Sequence, residues 1–180
     1  MGYSQWPFLL RLSAESKTDL YNLEDIFHGL YICIMKIEEA IKQENFDIPQ
    51  HKAGMNIIFT ANWLLSEIAL RLKPLGLSLQ QLNALNILRG QPNHTATVNL
   101  VRERLIDRMP NVSRLLNKLM EKGLVTKDRD LSDQRVVYIK LTQEGEKKAL
   151  KGRELFNKVT YGINNEQAEV LNELLNKIRE

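Results

Sequence analysis

The sequence predicts a mainly α-helical protein with one small β-hairpin. Along most of its 180 residues, apolar side chains recur at steps of three and four, the spacing of amphipathic helices. The run Val136–Leu141, rich in β-branched and aromatic residues, follows a turn and a shorter strand-like segment. Residues 102–140 hold ten Lys or Arg and six Asp or Glu, whereas the whole chain has a net charge of only +3. This concentration of positive charge around the hairpin favours a nucleic-acid partner.

The first 52 residues are expected to form an N-terminal tail and an additional helix. Residues 1–17 are expected to be loosely ordered. From Leu20 to Ile41, the apolar spacing predicts one helix of about six turns. Residues 44–52, which include Pro49, are expected to be a linker.

The sequence indicates a cytoplasmic protein with no membrane partner. The apolar run Trp6–Leu10 is too short for the core of a signal peptide and has no basic leader. No stretch is expected to reach the length that spans a bilayer. Cys33 is the single cysteine, so no intrachain disulfide can form, which suits a reducing compartment.

Two helical regions, residues 53–76 and 142–180, are expected to flank a central domain of residues 77–141. Both regions have apolar stripes that are wide enough to require burial. The stripes comprise Ile57, Ile58, Ala61, Leu64, Leu65, Ile68 and Leu72 in the first region, and Val170, Leu171, Leu174, Leu175 and Ile178 in the last helix.

The central domain is expected to contain a helix, a tight turn and two further helices before the hairpin. The inner face of its first helix holds Leu82, Leu85 and Leu88, and Gly90 helps to end it. Gly123 is suited to end the third helix. Polar residues able to cap helices stand at the expected starts. These are Ser78, either Thr95 or Thr97, Thr142, and either Asn164 or Asn165.

The third helix of the central domain has two chemically different faces. Spacing places Val112, Leu115, Leu116 and Leu119 toward the core, and Asn111, Arg114, Asn117 and Lys118 away from it. Amide and guanidinium groups read base edges in the major groove, whereas Lys suits phosphates. A charged outer face is common on amphipathic helices, but this one follows a helix and a tight turn and precedes a basic hairpin. That context favours DNA binding.

The hairpin is predicted from two strands, Val125–Arg129 and Val136–Leu141, joined by the turn-forming segment Asp130–Asp133. Lys127, Arg129 and Arg135 place cations on or near it. An arginine at a hairpin tip can enter the minor groove, where the potential is most negative. Asp133 is expected to cap the turn or to orient a nearby arginine rather than to contact DNA.

These segments resemble the MarR family of bacterial winged-helix regulators. Residues 112–125, VSRLLNKLMEKGLV, and residues 130–135, DLSDQR, carry the resemblance, together with residues 141–145, LTQEG. It implies a winged helix-turn-helix fold, with an interleaved dimerisation layer made by the first and last helices of two copies. It also implies that Arg135 is the wing arginine and that Ser113 and Arg114 lie in the recognition helix. The helix before Ile41 lies outside the family's common core.

The resemblance implies a sequence-specific transcriptional regulator, expected to be a repressor. Such a homodimer binds a pseudo-palindromic operator through two recognition helices in successive major grooves. A small phenolic or anionic effector, or cysteine oxidation, would release the DNA. Because Met109-Pro110-Asn111 replaces the small or basic residues usual at the start of the recognition helix, the bases that are read are not predicted. The expected DNA contacts are Asn111, Ser113, Arg114, Asn117, Lys118, Lys127, Arg129 and Arg135.

Two alternatives compete with a ligand-controlled regulator. A redox sensor would use Cys33, but no neighbouring cation stabilises a thiolate there, so a buried or inert cysteine is favoured. A winged helix that binds only proteins would have fewer charges and more aromatic residues at its centre. Trp63 could line an effector cleft, although packing at the dimer interface is the favoured interpretation.

The sequence gives no indication of an enzyme, a cofactor or a metal site. No nucleophile–base pair or phosphate-binding loop is visible. His28, His51 and His94 are far apart and have no helical i, i+4 spacing.

Overall fold

The computed structural model describes residues 36–43, 45–107, 111–129, 136–159 and 162–180. Its helices are α1 (Ile37–Ile41), α2 (Pro49–Leu72), α3 (Leu79–Arg89), α4 (Val98–Arg104), α5 (Val112–Glu121), α6 (Gln143–Asn157) and α7 (Asn165–Lys177). Short 3-10 turns, Lys73–Leu75 and Pro92–His94, follow α2 and α3. The strands are β1 (Thr95–Thr97), β2 (Val125–Arg129) and β3 (Val137–Leu141). The predicted mainly helical fold with a small β-wing is confirmed.

The chain divides into two compact units, Met1–Trp63 and Leu64–Glu180. In the described part of the first unit, Ile37 is buried and Glu38 forms an ion pair with Lys52. The hydrogen bond from Lys52 is the main cause that lowers the pKa of the Glu38 carboxyl below its usual value. This pair therefore joins α1 to the first turn of α2.

Two predictions for the N-terminal part are wrong. Lys36 is extended, with φ −68° and ψ 154°, so one continuous helix cannot run from Leu20 to Ile41. The spacing of apolar residues could not predict the extended backbone at Lys36, because that spacing indicates which side chains are buried and not the backbone angles. The linker ends before Pro49, since proline suits the first turn of a helix, where its missing N–H costs no intrahelical bond. The first part of the predicted helix, up to residue 35, lies outside the described residues.

Helix α2 is longer than the sequence indicated. Together with its 3-10 turn, Pro49–Leu75 is the one segment of the described chain that is long and apolar enough to cross a membrane. The expectation that no stretch reaches this length is therefore wrong, and the first turn, Pro49–Lys52, accounts for part of the difference. Length and composition alone do not distinguish a membrane span from an apolar helix of a soluble assembly.

In the second unit, the main core lies between α3, α4, α5 and the sheet. The predicted inner faces of α3 and α5 are confirmed. The core includes Leu85, Leu88, Val101, Val112, Leu116, Leu119, Leu124 and Ile139, all almost fully buried. A smaller cluster of Ile68, Leu72, Leu82 and Val159 packs the last turns of α2 against α3 and the end of α6.

Side-chain caps begin four helices where the sequence predicted them. Ser78 and Gln81 form a reciprocal capping box at α3, and Asn164 forms one at α7. Thr142 Oγ1 accepts a hydrogen bond of 3.0 Å from the Gly145 N–H at α6. At α4 the capping residue is Thr97; the alternative cap, Thr95, belongs to β1.

The three strands form one antiparallel sheet in the order β1–β3–β2. Its register pairs Lys127 with Ile139 and Arg129 with Val137. Strand β3 begins at Val137, one residue later than predicted. Strand β2 is an edge strand in this sheet, so side chains on it have access to solvent beside α5.

Candidate nucleic-acid interface

Helix α5 is anchored by its apolar face and capped by its first polar residue. Val112, Leu116 and Leu119 are buried, and Leu115 packs partly buried against the same core. The Asn111 Oδ1 accepts a hydrogen bond of 3.1 Å from the Arg114 N–H. This oxygen therefore caps the helix, and the amide group of Asn111 is the part left to donate to another partner.

The exposed side of α5 carries two strips of polar residues. Arg114 and Lys118, spaced i, i+4, lie on the exposed side of the helix, away from the buried stripe; we call them the outer strip. Ser113 and Asn117, also spaced i, i+4, lie on the flank beside the sheet; we call them the wing-side strip. All four residues are exposed. The helix thus presents donors along two adjacent lines.

Strand β2 places its two cations on the face of the sheet that packs against the helices. Directly paired residues of antiparallel strands share one face of the sheet, so Lys127 lies on the face of its partner Ile139, which belongs to the buried core. Arg129 is two residues further along and lies on the same face. Asp128 lies on the opposite face. The register therefore separates the basic residues of β2 from its acidic one.

Lys127 and the wing-side strip line one shallow pocket. Ser113 and Asn117 come from α5 and Lys127 comes from β2. Its other lining residues are Val98, Leu116, Met120 and Ile139. Three predicted DNA contacts from two separate elements thus converge on one concave surface with an apolar floor. Hydroxyl, amide and ammonium donors on such a surface suit the phosphate oxygens of a nucleic-acid backbone.

Arg102 is a candidate contact that the sequence interpretation omitted. It is exposed on α4, and its Nη1 donates a hydrogen bond of 3.2 Å to Asn99 Oδ1. It stands one turn after Val98, which lines the pocket, and so lies on the same side of α4. The i, i+3 spacing of Asn99 and Arg102 was a local signal that could have identified this oriented guanidinium.

Several predicted residues lie outside the described part of the chain. Arg135 and Asp133 belong to the undescribed residues 130–135, so their roles remain predictions. The same holds for Cys33 and for the unusual pair Met109-Pro110. Among the residues that are described, no group of three or more His, Cys, Asp or Glu could hold a metal ion.

Comparisons with known proteins identify a matching family model and solved structures of a similar fold. Residues 68–151 match the family model of the SarA/Rot transcriptional regulators. An organohalide-sensing transcriptional regulator, solved with bound 2,4-dichlorophenol, has 23% identity and a TM-score of 0.68, over 76% of this chain and 85% of that one.

Two solved DNA complexes have a similar fold. A MarR family regulator from Streptomyces coelicolor in complex with DNA has 20% identity and a TM-score of 0.64, over 76% of this chain and 92% of that one. A mutant MarR from E. coli with operator DNA has 22% identity and a TM-score of 0.60, over 69% and 91% of the two chains. At these identities the structures establish a shared fold.

Proposed function

We propose that the chain is a transcriptional regulator of the MarR and SarA winged-helix type, because residues 68–151 match the SarA/Rot family model, and that it represses genes as a homodimer. In this proposal it binds a pseudo-palindromic operator and releases it when a small phenolic or anionic effector binds. The convergence of Ser113, Asn117 and Lys127 on one surface is the observation that carries the DNA-binding part.

We propose that α5 lies in the major groove. The outer strip then faces the groove, where Arg114 donates to a base edge on its floor and Lys118 to a phosphate on its border. The DNA strand that borders the groove passes between α5 and β2, so Ser113, Asn117 and Lys127 contact its backbone. Arg129 and Arg135 contact the duplex further along the wing, with Asp133 orienting that wing.

Helix α4 supplies a further backbone contact in this arrangement. Its position beside the pocket allows Arg102 to reach a phosphate, and the hydrogen bond from Arg102 to Asn99 orients the guanidinium beforehand. Asn111 keeps its Oδ1 on the helix cap, so it can use only its NH₂ group toward DNA. We therefore expect Arg114 to contribute more than Asn111 to the recognition of base edges.

Homodimerisation is supported by the apolar stripe of α7. Its residues Val170, Leu171, Leu174 and Ile178 are between 44% and 63% exposed in the single chain. They lie on one side of the helix, and a second copy that presents the same stripe would cover them by two-fold symmetry. Residues 53–76 and 142–180 are the proposed dimerisation region. Burial in a dimer also accounts for the apolar composition of α2 in a cytoplasmic protein.

The effector proposal is supported by solved structures with the same fold. Two of them were solved with 2,4-dichlorophenol or p-coumaroyl-CoA bound, and in a third protein 6-hydroxynicotinic acid regulates DNA binding. All three molecules carry an aromatic ring with an oxygen substituent or an anionic group. We propose a compound of this class for the present chain, bound so that it changes the separation of the two recognition helices.

A binding titration tests the proposal. Purified protein is titrated into DNA from upstream of its own gene and into a shuffled DNA of the same composition, over a range of salt concentrations. A specific site should bind at least about 1000-fold more tightly than the shuffled DNA, and phenolic acids should weaken that binding. Equal affinity for both DNAs at every salt concentration would contradict the proposal, and binding only to proteins would favour the interaction-module alternative.

A further inference from the structure

We propose that Lys122, at the end of the recognition helix α5, positions that helix for DNA binding rather than contacting DNA itself. The inference rests on the proposed function. It concerns the contact between α5 and the turn that ends α2. Lys122 is an exposed lysine on the DNA-binding domain, so its residue type alone would favour a phosphate contact.

The ammonium group of Lys122 is already engaged by two protein oxygens. Its Nζ donates to the Gly76 carbonyl and, at 3.0 Å, to Gln81 Oε1. Gly76 ends the 3-10 turn after α2 and adopts a positive φ of 63°. Gln81 lies in the first turn of α3. One side chain therefore connects the end of α5 to the end of α2 and to the start of α3.

The acceptor on Gln81 is itself fixed in place. Gln81 is 5% exposed, and its Oε1 also accepts a hydrogen bond of 3.2 Å from the Ser78 N–H. The Gln81 N–H in turn donates to Ser78 Oγ at 3.2 Å. Because this capping box fixes the position of Gln81 Oε1, Lys122 Nζ donates its hydrogen bond to an ordered acceptor. Hydrogen bonds from a charged donor are among the stronger ones in proteins.

Neighbouring contacts hold the same region from other sides. Lys148 Nζ, on α6, donates to the Leu75 carbonyl at 3.0 Å, so two lysines bind consecutive carbonyls of one turn. Thr142 Oγ1 donates to the Gly123 carbonyl at 2.8 Å, just after α5. The C-terminal end of the recognition helix is thus attached to the turn after α2 and to the start of α6.

These contacts matter because a small rotation at the C-terminal end of α5 displaces its N-terminal end. A ten-residue helix is about 15 Å long, so a rotation of about 10° about its C-terminal end moves its N-terminal end by about 2.6 Å. In a dimer held together by α2 and α7, the direction of α5 sets the distance between the two recognition helices. Lys122 should therefore determine which half-site spacing the dimer prefers.

The test uses Lys122→Met, which keeps an unbranched side chain only one heavy atom shorter and removes its charge and donors. Dissociation constants are measured on a set of palindromic DNAs, built from the operator half-site, in which the half-site separation changes by single base pairs. A DNA with one half-site is included. Lys118→Met, on the outer strip, serves as the phosphate-contact comparison, and Lys147→Met, on the exposed side of α6, serves as the neutral control.

Wild-type protein should show a sharp optimum of spacing. Lys122→Met should bind about tenfold more weakly at that optimum, show nearly equal affinity at neighbouring spacings, and retain its affinity for the single half-site. Gln81→Met, which removes the acceptor and keeps the lysine, should broaden the spacing preference in the same way. It replaces Lys122→Met if that variant does not fold.

Two results would overturn the inference. If Lys122→Met lost the same factor on every DNA and had a shallower salt dependence, as expected of Lys118→Met, Lys122 would be a phosphate contact. An unchanged spacing optimum in both Lys122→Met and Gln81→Met would also overturn it. If the wild-type protein itself bound no DNA selectively, the proposed function would fail. If the wild-type protein bound the operator selectively but the variants kept its spacing optimum, only the role of Lys122 would fail.

Discussion

Lys127 and Ile139 stand directly opposite each other across β2 and β3, on the face of the sheet that packs against the helices. Ile139 is buried, whereas Lys127 is exposed because it lies on the edge strand. The aliphatic part of Lys127 can therefore pass over the apolar floor while its ammonium emerges beside Ser113 and Asn117. Sheet register thus decides which lysines of the wing share a surface with α5.

Lys127→Gln should weaken operator binding and make it less sensitive to salt. A homodimer loses two phosphate contacts, so the slope of log K against log salt should become shallower by about 1.8. The matched control is Lys140→Gln, because Lys140 pairs with Thr126 on the opposite face of the sheet. Titrations at four salt concentrations check this, and an equal effect of both substitutions would contradict the assignment of faces.

Arg114→Ala should reduce discrimination between DNA sequences. A guanidinium that reads a base edge contributes about 1–3 kcal/mol of discrimination per half-site. Operator affinity should therefore fall much more than affinity for shuffled DNA, whereas Lys118→Gln should lower both by similar factors. Competition titrations with both DNAs check the difference. A uniform loss in Arg114→Ala would assign Arg114 to the backbone instead.

Arg102→Gln should behave like a loss of phosphate contacts. Because the Arg102 guanidinium is oriented by Asn99, Asn99→Ala should give a smaller effect in the same direction. We expect a shallower salt dependence for Arg102→Gln and unchanged discrimination between operator and shuffled DNA. An unaltered salt slope would place α4 away from the duplex.

Local patterns in the sequence predicted the features that depend on nearby residues. The cap Thr142, for example, bonds an N–H three residues away, and the burial of Leu116 and Leu119 follows from helical spacing. Lys122 could not be assigned in this way, because its partner Gly76 lies 46 residues earlier. Lys122 and Lys118 are both exposed lysines near α5, so residue type and exposure alone would assign a phosphate contact to each. Likewise, the facing of Lys127 depends on its register with Ile139, which no local pattern specifies.

Gly145→Ala should destabilise the protein strongly. A Cβ at Gly145 would lie 2.0 Å from the Leu124 carbonyl oxygen, and a backbone atom cannot move aside as a side chain can. We expect a loss of about 3 kcal/mol in the free energy of unfolding. Gly54→Ala is the control, since a Cβ there meets nothing within 4 Å, and it should stabilise α2 by up to about 1 kcal/mol. Urea denaturation of both variants checks the contrast.

Leu174→Glu should convert the proposed homodimer into a monomer. Leu174 is 54% exposed in the single chain, so a glutamate there should leave the fold of the chain intact, whereas in a dimer it would bury a charge without a partner. Sedimentation velocity should show the monomer mass, with an unchanged helical circular dichroism spectrum. The matched control is Asn172→Glu, an exposed position of α7 on the side away from the apolar stripe.

The same variant links dimerisation to DNA recognition. A monomer places only one α5 on the DNA, so Leu174→Glu should lose most of its affinity for the palindrome and bind it little better than a single half-site. Asn172→Glu should retain both the dimer mass and the palindrome affinity. If Leu174→Glu remained dimeric, the stripe of α7 would not be the interface, and the two-fold arrangement would have to depend on α2 instead. If it became monomeric yet bound the palindrome at full strength, simultaneous engagement of two half-sites would not be the source of affinity.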